Sequence, residues 1–238
     1  MQVLKREKER LSLQTRLDAA KTQAERNRLG QFATPTALAQ DILRFGMTLL
    51  EEDKPIRFID PAIGTGSFFA ALLNTVPRKR IEVAKGFELD THYGAPAREL
   101  WRGAPLDLEL GDFTRATSPA KEWDRFNLVI CNPPYVRHHH IKNGEKVQLQ
   151  KAAEIACGVR IAGLAGLYCY FLGLSHAWMQ RGGVAGWLIP SEFMDVNYGE
   201  AVKRYLLDKV TLLHIHRFDP NSVQFDDALV SSAVLWFR

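Results

Sequence analysis

FNLVICNPPY, at residues 126–135, joins a short apolar run to a stiff polar turn. A run of this length, bounded by polar residues, is typical of a buried parallel strand. The tetrapeptide Asn132–Tyr135 then follows the carboxyl end of that strand, which is where open α/β sheets bind their ligands. We therefore expect the fold to be organised around a strand that ends at Cys131, with a ligand site directly after it.

Each residue type in the tetrapeptide has a chemical use at such a position. Asn132 offers a side-chain oxygen as hydrogen-bond acceptor. The two prolines stiffen the loop and remove backbone donors, so a backbone carbonyl can point at a ligand amine. Tyr135 offers a flat face for a planar base. The pattern predicts a pocket for an exocyclic amino group, and the alternative interpretation is a proline-rich turn with no ligand.

A second motif follows the strand that we predict at Ile56–Asp60. Gly64 and Gly66 lie close behind that strand and allow the backbone to approach a ligand at the start of a helix. Their spacing differs from that of a dinucleotide-binding loop. Asp60 would repel a pyrophosphate but suits an ammonium group. These features favour a nucleotide that carries an amino acid over a generic strand-to-helix turn.

Acidic residues follow the next two predicted strands, at residues 80–88 and 106–110. Glu88 lies roughly 20 residues after the glycine loop, where an acid accepts hydrogen bonds from ribose hydroxyls. Asp112 and Phe113 can accept from an adenine amine and cover its ring. The alternatives are a surface carboxylate at Glu88 and a helix-capping turn at Asp112.

Strand and helix patterns alternate along the rest of the chain. Further strands are predicted at 183–190, 210–218 and 229–237, and helices at 36–50, 164–181 and 197–208. The alternation predicts an α/β fold with a doubly wound, mostly parallel sheet, helices on both faces and an antiparallel edge hairpin.

Basic residues are concentrated in two segments, although the net charge of the chain is only +4. Residues 1–26 lack Gly and Pro and predict one long polar helix. One interpretation is a solvent-exposed helix that packs only one narrow face against the rest of the chain. The alternative is a helix that contacts a partner or DNA phosphates. Residues 136–163, with three adjacent histidines, are predicted as a loop that contacts phosphates. The histidines do not match a metal site.

Composition limits the class of protein further. The three cysteines have neither metal-binding nor disulfide spacing, which favours a reducing compartment. The amino terminus is charged, unlike a secretory signal, and no apolar run is long enough for a membrane span. We expect a cytoplasmic protein that does not bind membranes.

Taken in order, these motifs resemble those of the amino-DNA methyltransferases, and specifically the N6-adenine enzymes of the gamma arrangement, as in restriction-modification methylases. The resemblance covers roughly residues 30–238, in the order Gly30–Pro35, Asp60–Phe68, Glu88, Asp112-Phe113, Asn132–Tyr135. It implies a class I methyltransferase fold, S-adenosylmethionine as cofactor, double-stranded DNA as partner, and a target adenine flipped out of the duplex. It implies no metal.

The resemblance also implies a role for each matching residue. Thr34, Asp60 and Gly64 lie around the methionine end of the cofactor, Glu88 binds its ribose, and Leu89, Asp112 and Phe113 hold its adenine. Asn132 and the Pro133 carbonyl accept from the target amine, Tyr135 stacks on the base, and Phe225 packs against it. The implied catalytic residues are Asn132, Pro133, Pro134, Tyr135 and Phe225, and the implied cofactor-binding residues are Thr34, Asp60, Pro61, Ala62, Gly64, Gly66, Glu88, Leu89, Asp112, Phe113 and Asn132.

The sequence departs from the family pattern at its end, because members usually carry a target-recognition domain after the last strand. We expect a helical extension at 1–29 and a catalytic domain at 30–238. Specificity would then come from a missing domain, a specificity subunit, or residues 136–163. Two other functions stay open: methylation of an RNA base or a protein glutamine, and a non-catalytic subunit that binds cofactor or DNA.

Overall fold

The computed structural model describes residues 2–219 and 231–238. Within these two ranges, seven strands form one sheet in the order β3-β2-β1-β4-β5-β7-β6. The strands are β1 (Ile56–Asp60), β2 (Ile81–Glu88), β3 (Asp107–Leu110), β4 (Phe126–Cys131), β5 (Met179–Pro190), β6 (Leu212–Arg217) and β7 (Ser232–Phe237). The helices are α1 (Gln2–Ala19), α2 (Gln23–Leu29), α3 (Thr36–Leu49), α4 (Ser67–Thr75), α5 (Thr91–Leu100), α6 (Asn143–Cys157), α7 (Leu167–Ser175) and α8 (Glu200–Asp208).

The sheet is parallel from β3 through β5 and antiparallel beyond it. β1 pairs in parallel with β2 and β4, and β4 with β5. β7 pairs antiparallel with both β5 and β6, so it lies inside the sheet and β6 forms the edge. Because the parallel part reverses its winding beside β1 and β4, the crevice for a ligand lies outside their carboxyl ends. The predicted fold is confirmed.

Side chains of β4 alternate between two apolar layers, as a strand with period two requires. Leu128 and Ile130 pack with α3, α4 and Trp236 on one face. Val129 and Cys131 pack with α6, α7 and α8 on the other. All six residues of β4 are buried, which fixes the position of the tetrapeptide that follows the strand.

Three predicted elements differ from the structure. Residues 1–26 form two helices, because Thr22 and Glu25 make a reciprocal capping box that starts α2 after α1 has ended. Residues 136–163 are not a loop: they contain the 15-residue helix α6, whose Leu149, Ala153 and Cys157 are buried at a spacing of four. The predicted helix at 164–181 ends earlier, since β5 begins at Met179.

The predicted cap of α3 is also wrong. Pro35 occupies the capping position without a side-chain hydrogen bond, and the Thr36 hydroxyl instead donates to Glu7 Oε1 at 2.6 Å. The helices in the described part of the chain include none that is long and apolar enough to cross a bilayer.

Candidate active site

A cavity of about 550 Å³ lies at the carboxyl ends of β1, β2, β3 and β4. This is the size of a typical small-molecule site. Most of the predicted residues line it, namely Thr34, Asp60, Pro61, Ala62, Gly64, Glu88, Leu89, Asp112, Phe113, Asn132 and Pro134. Gly66, Pro133 and Tyr135 are not among the lining residues, and Phe225 lies outside the described residues.

The glycine loop after β1 is held in shape by hydrogen bonds on both sides. Asp60 is buried and its Oδ1 accepts from the Ala62 N–H at 3.1 Å. The Ile63 N–H donates to the Phe87 carbonyl at 2.9 Å, and the Gly64 N–H donates to Glu88 Oε2 at 2.9 Å. The ends of β1 and β2 are thereby joined under the cavity.

Gly66 contributes close packing rather than a cavity surface. Its φ of 95° is in the left-handed region that favours glycine. An added Cβ would lie 2.5 Å from Trp101 Nε1, and this indole donates to the Thr65 carbonyl at 2.9 Å. The second glycine of the motif thus allows Trp101 to pack against the loop.

Two carboxyl groups in the cavity have raised pKa values because they are buried. Burial raises the pKa of Asp60 to about 8, and the nearby Glu88 adds to the shift. Burial likewise raises the pKa of Glu88 to about 7, against hydrogen bonds from the Asp90 and Gly64 amides. A cationic ligand would restore the charge of both groups, so the cavity is suited to a cation.

The residues after β3 combine a structural role with a position in the cavity. Asp112 Oδ1 accepts from the Thr114 N–H at 2.9 Å and from its hydroxyl at 2.7 Å, so the capping alternative is correct while the residue still lines the cavity. Phe113 is buried, with its ring centroid 5.5 Å from that of Phe87 and 5.3 Å from that of Phe171. These rings form an apolar wall at one end of the cavity.

Asn132 has one side-chain atom engaged and one free among the described residues. Its Nδ2 donates to the Phe32 carbonyl at 3.0 Å and to Thr34 Oγ1 at 3.1 Å. A carbonyl can only accept, so the nitrogen must face Phe32 and the oxygen must face the other way. Oδ1 is buried and has no hydrogen-bond partner in the described part of the chain. Such an atom is costly unless a ligand donates to it.

Tyr135 is anchored in the wall behind Asn132. Its hydroxyl donates to the Leu188 carbonyl at 3.1 Å, and its ring lies 5.7 Å from that of Phe32 at 41°. Its N–H donates to the Gly30 carbonyl at 3.2 Å. Burial raises the pKa of the phenol further above its ordinary value. Phe32 is the member of this aromatic pair that lines the cavity.

Part of the cavity wall consists of residues that were not predicted from the sequence. The additional polar lining residues include Gln14, Asp18, Lys21, Gln31 and Glu145, and the additional aromatic ones are Phe32, Tyr93, Phe68, Phe87 and Phe171. Gln31 and Phe32 fall within the predicted Gly30–Pro35 motif, which should have drawn attention to them. Gln14 and Asp18 gave no such signal, since polar residues four apart are typical of a solvated helix face.

The comparisons with known proteins identify the family. The model of the Eco57I restriction-modification methylase family matches residues 81–224. Type II methyltransferase M.XamI of Xanthomonas campestris pv. amaranthicola is 30% identical over an alignment of 220 residues that covers 89% of this chain and 39% of that protein. Type II methyltransferase M.AccI of Acinetobacter calcoaceticus is 30% identical over 211 residues, covering 88% of this chain and 37% of that protein. The chain spans less than half of these relatives.

A solved structure supports the fold. A putative class I S-adenosylmethionine-dependent methyltransferase of Listeria monocytogenes matches with a TM-score of 0.75 at 17% identity, over 98% of this chain and 68% of that one. The predicted class I methyltransferase fold and the predicted resemblance to restriction-modification methylases are confirmed. The family model covers more than half of the 238 residues, and the chain therefore belongs to the Eco57I restriction-modification methylase family.

Proposed function

We propose that residues 30–238 form the catalytic domain of a DNA methyltransferase that transfers a methyl group from S-adenosylmethionine to the N6 amine of a flipped adenine. The observation that carries this proposal is the buried Oδ1 of Asn132, which has no partner among the described residues and belongs to a side chain that lines the cavity. It is an acceptor held in place for a donor that the chain itself does not supply.

The cavity residues fit S-adenosylmethionine, a cofactor with an ammonium, a sulfonium and an adenosine. Asp60 is buried at the end of β1, and Glu88 is half-buried at the end of β2, where it accepts from the Gly64 N–H of the glycine loop. A cation beside them offsets the cost of their ionisation. Asp60 and Thr34 are assigned to the methionine end, Glu88 to the ribose, and Asp112 with Leu89 and Phe113 to the adenine.

Methyl transfer to the exocyclic amine requires that this poor nucleophile be oriented. S-adenosylmethionine supplies an electrophilic methyl group. The lone pair of an exocyclic amine is delocalised into its ring, and an acceptor aimed at an amine hydrogen favours a tetrahedral nitrogen as positive charge develops there. Asn132 Oδ1 supplies that acceptor by a hydrogen bond to one amine hydrogen. The methylated nitrogen, which is cationic, then releases a proton to water, because an amide oxygen is too weak a base to keep it. The prolines at 133 and 134 provide no N–H that would compete for it.

The target base must reach this acceptor from outside the duplex, because an amine stacked in DNA is inaccessible. Tyr135 and Phe32 are assigned to the stacking wall for the flipped base, with Phe32 at the cavity surface. The restriction-modification methylase family favours DNA as substrate over an RNA base or a protein glutamine. We further propose that a target-recognition domain or a specificity subunit reads the DNA sequence.

The substrate class is tested by incubating the chain with S-adenosylmethionine tritiated at the methyl group and with pools of DNA, RNA and protein. We expect label in DNA, and its loss with Asn132→Ala. Label confined to the RNA or protein pool would assign the site to that substrate. Cofactor binding measured by calorimetry, with no label in any pool, would favour the non-catalytic subunit.

A further inference from the structure

Helix α1 carries a buried ion pair that is unusual for a solvent-exposed helix. The Arg10 side chain is 1% exposed and that of Glu7 is 10% exposed. Arg10 Nε and Nη2 donate to the two oxygens of Glu7 at 2.8 and 2.7 Å, a bidentate arrangement. A pair of charges is costly to bury, so this one calls for a function beyond the stability of the helix.

The remaining donors of Arg10 reach the loops around the cavity. Its Nη1 donates to Thr65 Oγ1 at 3.2 Å and to Ser67 Oγ at 3.0 Å. Its Nη2 donates to Thr36 Oγ1 at 3.1 Å. Thr65 belongs to the glycine loop, Ser67 starts α4, and Thr36 starts α3 directly after the Gly30–Pro35 motif. One guanidinium therefore ties together two segments that line the cavity.

The same helix continues along the wall of the cavity. Gln14 Oε1 accepts from the Thr65 hydroxyl at 2.6 Å, and Asp18 Oδ1 accepts from the Tyr93 hydroxyl at 2.9 Å. Both side chains line the cavity. Polar atoms of α1 are thus bonded to the glycine loop at one point and to α5 at another, with the cavity beside them.

Lys21, two residues after the end of α1, is bonded to residues on the proposed ribose side of the cavity. Lys21 forms an ion pair with Asp90 and donates to Gln31 Oε1 at 3.0 Å. Gln31 Nε2 in turn donates to Asp90 Oδ2 at 2.7 Å. Although burial opposes it, these hydrogen bonds hold the pKa of Asp90 below its ordinary value. The Asp90 N–H donates to Glu88 Oε1 at 2.8 Å, so Lys21 is linked to the proposed ribose acceptor through one residue.

We propose that helix α1, together with Lys21 just after it, forms part of the cofactor site. Arg10 is a positioning residue that holds the glycine loop and the Gly30–Pro35 motif in their binding geometry, and Gln14, Asp18 and Lys21 close the ribose side. This inference rests on the proposed cofactor. It assigns a role to residues that precede the segment 81–224 matched by the family model. It also extends the catalytic domain proposed at 30–238 to include α1, in place of the separate extension expected at 1–29.

The test is calorimetric titration of S-adenosylmethionine into the full chain and into a Glu7→Gln, Arg10→Met double variant, which removes both charges of the pair together. We expect the Kd to rise at least about tenfold, which corresponds to about 1.4 kcal/mol. Arg10→Lys keeps the charge but loses the forked guanidinium, and its Kd is expected to lie between those of the unaltered chain and the double variant. Glu9→Gln, on the exposed side of the same helix, serves as the control with an unchanged Kd.

Two readouts separate positioning from mere stability. Amide hydrogen exchange is expected to become faster at residues 62–66 in the folded double variant, with that of β4 unchanged. In the transfer assay, the KM for the cofactor is expected to rise while kcat at saturating cofactor stays within about twofold.

The possible failures are distinguishable. If the unaltered chain does not bind S-adenosylmethionine, the proposed function fails. If the unaltered chain binds it and the folded double variant binds it equally well, the role of α1 is overturned. Should the double variant not fold, Gln14→Ala with Lys21→Ala, both on partly exposed side chains, replaces it, and an unchanged Kd for that pair overturns the proposal in the same way.

Discussion

The Asn132 side-chain nitrogen donates to the backbone carbonyl of Phe32, 100 residues earlier in the chain, at 3.0 Å. This contact fixes the orientation of the amide, since a carbonyl oxygen only accepts and only the nitrogen of the Asn132 amide can donate to it. The oxygen of Asn132 is thereby left without a partner among the described residues. Phe32, in the segment before α3, thus orients the side-chain oxygen of Asn132 after β4. The two motifs together form the acceptor site.

Replacing Asn132 should separate cofactor binding from catalysis. In Asn132→Ala we expect kcat to fall by at least about 100-fold, the cost of losing one preorganised group at a developing charge. The Kd for S-adenosylmethionine should stay within about threefold, because the lost oxygen faces the target amine. Tritium transfer stopped at fixed times measures kcat, and calorimetry measures the Kd. Asn197→Ala, at an exposed position, is the control, and a normal kcat in Asn132→Ala would remove the residue from the mechanism.

Thr34 should affect kcat, because its hydroxyl accepts the second hydrogen bond that orients the Asn132 amide. Thr34→Val removes the hydroxyl that accepts from Nδ2 at 3.1 Å while keeping the branched shape. The loss of one hydrogen bond, about 1 kcal/mol, predicts a decrease in kcat of roughly fivefold. Thr34→Ser retains the oxygen and should behave nearly as the original chain. Equal rates for the valine and serine variants would show that the hydroxyl does not orient the amide.

The raised pKa of Asp60 implies a stability that depends on pH. Burial raises this pKa from 3.8 to about 8, so the folded chain holds a proton that the unfolded chain releases between those values. The contribution of Asp60 to the free energy of unfolding is complete below pH 4 and is lost progressively up to pH 8. Asp60→Asn should therefore raise Tm at pH 8 by at least about 4 °C and change it little at pH 4.

Thermal unfolding of Asp60→Asn and of the unaltered chain, followed by circular dichroism at pH 4 and pH 8, measures this difference in Tm. The same variant should lose affinity for S-adenosylmethionine, because the carboxylate is the proposed partner of a cation. A Tm that is unchanged or lower at pH 8 would mean that Asp60 is ionised in the free chain.

Gly30 should be irreplaceable because two backbones meet at its Cα. Its φ is 63° and an added Cβ would lie 2.2 Å from the Tyr135 nitrogen. Gly103 has a φ of 76°, and an added Cβ there would have no atom of the described residues within 4 Å. Gly103→Ala therefore isolates the cost of the backbone conformation, about 1 kcal/mol. Gly30→Ala should cost clearly more in urea unfolding and should lower the transfer rate as well. Equal costs for the two variants would contradict the close approach.

Much of the fold could be predicted because its signals are local. The buried run of β4 and the exact bounds of β1 follow from apolar stretches that end at polar turns. The helix α6 was missed since its buried face is carried by Leu149, Ala153 and Cys157, two of them small residues among many charges. The break before α2 had a readable signal, Thr22 followed by Glu25 at the capping-box spacing.

The candidate site was predictable where chemistry and strand ends coincide, as for Asp60, Glu88 and Asn132. The contribution of α1 could not be predicted from the pattern. Arg10 looks like any basic residue of a polar helix, and only the packing of α1 on the starts of α3 and α4 buries it. Tyr135 is the aromatic residue of the predicted motif, yet Phe32 is the one that lines the cavity. Tyr135 is held back because its hydroxyl donates to the Leu188 carbonyl.

In the proposed mechanism, the Asn132 side-chain oxygen accepts from the amine of an adenine. Nucleoside mass spectrometry after incubation with S-adenosylmethionine and DNA that contains unpaired adenines tests it most directly. We expect N6-methyldeoxyadenosine from the unaltered chain and at least about 100-fold less from Asn132→Ala. Equal amounts from both chains, or methylated cytosine in place of methylated adenine, would contradict it.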